Sequence, residues 1–88
     1  MLKLLIADDE KAIRDSISTL IDWSSLDIKL IGTAKNGIDA YNMILDQYPD
    51  IILTDIKMPG LTGLELIRKI HEIAPQTEFI ILSGYGEF

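Results

Sequence analysis

Three aspartates stand where apolar runs end. The run LKLLIA leads into Asp8-Asp9, and the run DIILTD ends at Asp55. Short runs with Ile and Leu on both parities predict strands buried on both faces. The ends of such strands are where an α/β sheet presents ligand-binding groups. Carboxylates gathered there repel one another: at roughly 4 Å and an effective dielectric of about 20, each pair costs about 4 kcal/mol. A fold accepts this where a cation sits among the acids, or where the repulsion shifts a pKa for use. The donors are all oxygens, so the chemistry that fits is that of a hard divalent cation, Mg²⁺ above all.

Composition narrows the alternatives. Eighty-eight residues make one domain at most. Apolar residues are 48 % of the chain, which argues against disorder and suits fully buried strands. The net charge of −6 argues against this segment binding nucleic acid directly, because phosphate contacts need Lys and Arg. With no cysteine there is no disulfide framework, thiol catalysis or thiolate metal site. No apolar stretch approaches the roughly 18 residues of a membrane span. The N-terminal MLKLLIADDEK does not resemble a signal peptide, so a cytoplasmic location is expected by default.

The elements that must position the aspartates follow from periodicity and punctuation. Leu2 to Ala7 predicts a strand, and Asp8-Asp9-Glu10 turns into a helix from about Glu10 to Ile21, with Ile13, Ile17, Leu20 and Ile21 as its apolar stripe. Asp22 to Ser25 is expected as a loop, with Trp23 packing in it, and Ile28 to Ala34 as a second strand. Asn36-Gly37 opens a second helix whose inner face is expected to be Ile38, Tyr41, Ile44, Leu45 and Tyr48; Pro49 ends it. Ile51 to Thr54 predicts the third strand, leading into Asp55. Thr62 and Glu65 form a capping-box pattern, so a third helix starts near Gly63, with Leu64, Ile67, Ile70 and Ile73 as its stripe and Pro75 closing it. Glu78 to Leu82 predicts the fourth strand, followed by the loop Ser83-Gly84-Tyr85-Gly86. The order βαβαβαβ with short connections means a parallel sheet with right-handed crossovers and helices on both faces. Ending on a strand and a Gly-rich loop is unusual for such a sheet, and the sequence reads as incomplete.

These residues resemble the response-regulator receiver domain. The likeness rests on Asp8-Asp9 after the first strand, Asp55 after the third, Lys57-Met58-Pro59-Gly60 behind it, and Ser83-Gly84 after the fourth. Ile21-Asp22-Trp23, Thr54-Asp55-Ile56-Lys57-Met58-Pro59-Gly60 and Leu82-Ser83-Gly84-Tyr85 are similar to the receivers that precede AraC-type helix-turn-helix domains. The resemblance implies an α/β, doubly wound parallel sheet of the flavodoxin-like kind, strand order 2-1-3-4-5, with only βαβαβαβ present in residues 1–88. It implies Asp55 as phosphoacceptor for a sensor histidine kinase and Ser83 as the switch hydroxyl. Mg²⁺ would be held by Asp9 directly, Asp8 largely through water, Asp55 and the backbone carbonyl of Lys57. A DNA-binding output domain in the same full-length chain, of AraC type, is implied as the partner that phosphorylation controls. Family receivers continue through a further helix, strand and helix, with a lysine ending the fifth strand. Without them the fourth strand is expected to offer an exposed edge and to self-associate.

Blander readings exist for each residue. Asp8-Asp9-Glu10 could be acids meeting a helix dipole, but Asp55 in register outweighs this. Ser83 could be an ordinary strand-end hydroxyl, and His71 a solvated side chain. Thr62 and Glu65 are expected to be structural caps, and Tyr41 and Tyr48 core residues. The rival of another class is an aspartate-nucleophile phosphohydrolase of the haloacid-dehalogenase type. Such enzymes carry a second acid two residues after the nucleophile, where this chain has Lys57, so no enzymatic activity is expected. A receiver-like module that is not phosphorylated is a second rival, against which all three aspartates speak.

Overall fold

The computed structural model describes residues 1–82. Four strands, β1 (Leu2–Ala7), β2 (Ile28–Ala34), β3 (Ile51–Asp55) and β4 (Glu78–Leu82), alternate with three helices, α1 (Lys11–Leu20), α2 (Gly37–Gln47) and α3 (Gly63–Ile73). All strand pairings are parallel and the order is β2-β1-β3-β4. This is the α/β flavodoxin-like sheet expected from the alternation of apolar runs and helical periods. Every strand of the described sheet falls on its expected segment.

Both parities of β1 are apolar because the sheet is covered on both faces. Leu5, Ala7 and Ile52 face one side, where α2 and α3 bring Ala40, Ile44, Leu66 and Ile70 against them. Leu4, Ile6 and Leu53 face the other, joined by the half-buried Ile17 of α1 and by Trp23. Trp23 is not in an irregular loop. It opens a short 3-10 helix, Trp23–Leu26, and its indole N–H donates to the Ile17 carbonyl at 3.1 Å. Its apolar body thus closes the lower-populated face while its polar edge stays satisfied.

The helix faces differ from the expected stripes. On α2 the buried residues are Gly37, Ala40 and Ile44, while Ile38 and Leu45 are exposed. Tyr48, expected in the core, is 63 % exposed and forms the left-handed cap of α2 at φ 48°. Tyr41 does pack against the core, with the Lys69 ammonium 5.9 Å from its ring centre. On α3, Leu66 and Ile70 are buried, and the expected Leu64 and Ile73 face outward. On α1, Leu20 is 82 % exposed and Ile21 also lies outside. The cause is common to all three helices. Each is only three turns long and brings one narrow seam toward the sheet, so apolar residues to either side of that seam, or at the last turn, stay outside. On α2 the small residues lie inside, Ala40 in the core and Gly37 against the Leu61 backbone, which a reading by size alone passes over.

Candidate functional site

Strand order creates the site. From β1 the chain crosses to β2 on one side, then returns past β1 to β3 on the other. Crossovers leaving in opposite directions open a crevice beyond the carboxyl ends of the two central strands. Ala7 pairs with Thr54 in register, so the residues that follow, Asp8 and Asp55, emerge side by side. Asp8, Asp9 and Asp55 each offer a carboxylate oxygen, and these atoms all lie within 4.8 Å of one another. The three aspartates singled out from the sequence do meet.

Their environments differ. Asp8 is 2 % exposed, Asp55 is half-buried and Asp9 is exposed. Asp8 is held on every side. Its N–H donates to the Ala34 carbonyl at 3.1 Å, its Oδ1 accepts the Glu10 N–H at 2.9 Å, and its carbonyl accepts Nη1 of Arg14 at 2.8 Å. Burial pushes the Asp8 carboxyl above its ordinary pKa. The Glu10 N–H opposes that rise, and the charges of Asp55, Asp9 and Glu10 add to it. Asp55 is oriented by its own loop: its Oδ1 accepts the Ile56 N–H at 2.8 Å. Its other oxygen accepts no hydrogen bond among the described residues and is left for chemistry.

The loop behind Asp55 is clamped. The Gly63 N–H donates to the Ile56 carbonyl at 2.8 Å, and a Cβ on Gly63 would stand 2.1 Å from the Asp55 carbonyl oxygen. Across the loop, a Cβ on Gly37 would stand 1.8 Å from the Leu61 carbonyl oxygen. Met58 is buried in the core beneath, while Lys57 is exposed. Thr62 and Glu65 make both hydrogen bonds of the capping box, the caps expected of them. His71 is exposed. Ser83 lies outside the described residues. Sequence reading missed the Arg14 contact and the two glycine approaches. The glycines are visible in the sequence, but what they approach is not.

An open cleft of about 360 Å³ is lined by Arg14, Thr33, Lys35, Asp39, Asn42 and Met43, and by none of the three site aspartates. No helix among the described residues is long and apolar enough to cross a membrane.

Comparison with known proteins agrees with this geometry. Residues 4–88 match the response regulator receiver domain. The chain belongs to that family. Over its whole length this receiver chain is 51 % identical to the transcriptional regulatory protein YesN of Bacillus subtilis, covering 24 % of that protein. It is 36 % identical to the transcriptional regulatory protein HptR of Staphylococcus aureus, covering 34 % of it. The chain thus spans a quarter to a third of the curated relatives it matches. Among solved structures, the receiver domain of the response regulator AraT from Geobacillus stearothermophilus superposes with a TM-score of 0.93 at 36 % identity, covering 99 % of this chain and 67 % of that one. A two-component transcriptional regulator AraC from Clostridium phytofermentans gives 0.88 at 38 % identity, covering 99 % and 70 %.

Proposed function

We infer that this receiver accepts a phosphoryl group on Asp55 from a histidine of a sensor kinase, and that the modification controls a DNA-binding output domain in the same full-length protein. The observation that carries this reading is the Asp55 carboxylate at the switch point, one oxygen held by the Ile56 N–H and the other open toward Asp8 and Asp9. In the transfer, the open oxygen attacks phosphorus and a P–O bond forms. The bond from phosphorus to the kinase imidazole nitrogen breaks, and the imidazole leaves with the electron pair. The product is an acyl phosphate; its persistence, and not its formation, distinguishes a signalling element from a phosphohydrolase, and the reading here is a signalling element.

The donor set fits Mg²⁺: three converging carboxylates, of which Asp8 has its pKa raised chiefly by burial and further by the neighbouring charges. Asp9, Asp8, Asp55 and the Lys57 carbonyl would hold it. When bound, the ion neutralises the charge of the carboxylates and of the phosphoryl oxygens. The residues of the chain do the rest. Asp8 and its hydrogen bonds fix the floor of the site, and the loop behind Asp55 aims the nucleophile. Ser83 is assigned the hydroxyl that reports the phosphoryl group. The names of YesN and HptR support a transcriptional output, and that of the AraC regulator supports the AraC type; a cytoplasmic location is part of the same proposal.

Labelling of the full-length protein by acetyl phosphate with Mg²⁺ is the test. Asp55→Asn is expected to abolish an acyl phosphate that is otherwise stable in acid. Full labelling in that variant would overturn the assignment, and rapid phosphate release without a lasting adduct would favour a phosphatase.

A further inference from the structure

We propose that Arg14 is a positioning residue for the acid pair: it ties α1 to the carbonyl of Asp8 and so keeps Asp8 and Asp9 aimed at Asp55. The inference rests on the reading of the site as a metal-assisted phosphoacceptor. Three observations carry it.

First, the junction between β1 and α1 lacks the usual lock. Glu10 occupies the N-cap position but makes no side-chain cap hydrogen bond, and the first turn of α1 holds no acidic residue. A capping side chain normally holds the entering chain to the first free N–H groups of the helix. Here the contact runs the other way. A helical side chain, Arg14, reaches back over six residues to the loop carbonyl at 2.8 Å.

Second, a cation in the first turn of a helix is placed against the helix dipole. Arg14 is the fourth residue of α1. It gains no carboxylate partner in exchange, since the one ion pair among the described residues is Lys11–Asp15 on the outer face. The guanidinium is half-buried, and among the described residues the Asp8 carbonyl is the acceptor it uses.

Third, that carbonyl belongs to the peptide joining the two acids. The Asp8 N–H is held by Ala34 and the Asp8 side chain by the Glu10 N–H. Arg14 holds the remaining polar group of the residue. Releasing it frees the Asp8–Asp9 peptide plane to turn, and Asp9, which is exposed and whose side chain makes no hydrogen bond or ion pair among the described residues, swings with the plane.

The sign of the effect on Mg²⁺ affinity separates positioning from simple charge. Through space, a cation near the site opposes a second cation, so deleting Arg14 should strengthen Mg²⁺ binding. If Arg14 positions the ligands, deleting it should weaken binding in spite of the lost charge. Calorimetric titration of the full-length protein with Mg²⁺ alone reads this. Arg14→Met is expected to weaken binding about tenfold, as loss of a contact that orients metal ligands does. Arg14→Lys, which keeps a donor and the charge, should recover most of it. Lys35→Met removes another cation lining the same cleft and should leave affinity equal to or slightly above that of the unchanged protein. If Arg14→Met does not fold, Arg14→Gln takes its place, being neutral and too short to reach the carbonyl. Unchanged or tighter binding in the neutral Arg14 variant overturns the inference. Absence of Mg²⁺ binding in the unchanged protein would instead overturn the reading of the site on which it rests.

Discussion

Asp8 is a buried acid among other acids, which sets its charge against the stability of the fold. Its carboxyl is nearly inaccessible and faces two other acids, so its pKa in the folded protein lies above the ordinary 3.8, chiefly through burial. A raised carboxyl pKa means that folding favours the protonated form. The stability associated with it is complete below the ordinary value and is lost as pH rises through the folded one. At neutral pH the metal-free protein therefore carries a destabilising charge. Asp8→Asn keeps an oxygen for the Glu10 N–H and removes that charge. Melting in the presence of a chelator should show it more stable than the unchanged protein at pH 7, by a few degrees where about 4–8 °C corresponds to 1 kcal/mol in a domain of this size. The gain should shrink as the pH falls and the unchanged side chain takes up its own proton. A lower melting temperature at pH 7 would mean that the Asp8 charge is compensated within the protein. That Asp8, Asp9 and Asp55 come together was legible from the strand ends they follow. That Asp8 is buried while Asp9 is exposed was not, because adjacent residues in a turn differ only through what folds over them.

At the level of elements, the three helices begin in three different ways. Asn36 caps α2 through the Asp39 N–H at 2.8 Å. Thr62 and Glu65 cap α3 reciprocally, at 3.2 Å and 3.0 Å. α1 has no side-chain cap hydrogen bond, and Arg14 of its first turns donates to the Asp8 carbonyl ahead of it. The start of α3 matters most for function, because Gly63 touches the Asp55 backbone and the cap holds that glycine in place. Thr62→Ala is expected to destabilise the protein by about 1 kcal/mol, the usual worth of a lost N-cap. Denaturant unfolding would measure this as a lower midpoint at constant slope. A change below a few tenths would show that packing alone holds the turn. Thr62-x-x-Glu65 could be read because a capping box is local in sequence. The Arg14 tie could not, since its acceptor is a backbone carbonyl, which every residue possesses.

For the molecule as a whole, the parallel sheet places the acids at its centre and leaves two edges. β2 forms one edge. Among the described residues β4 is the other, with Ile80 50 % and Ile81 37 % exposed. Unpaired backbone groups beside exposed branched residues are a template for pairing with another chain. A polypeptide ending at Phe88 is accordingly expected to self-associate through β4, and light scattering over a range of concentrations would detect it. A stable monomer at high concentration would show that this edge is better protected than its exposure suggests.

The sequence by itself determined the element order, the strand segments, the start of α3 and the identity of the acids that meet. Each depends on short-range patterns: runs of one period, a cap three residues apart, charges at strand ends. Tertiary structure alone decided which helix faces are buried, that Tyr48 stands outside while Gly37 lies inside, and that Arg14 holds the Asp8 carbonyl. Those outcomes depend on how closely two elements approach, and the distance is set by the smallest residues at the seam together with everything packed behind them.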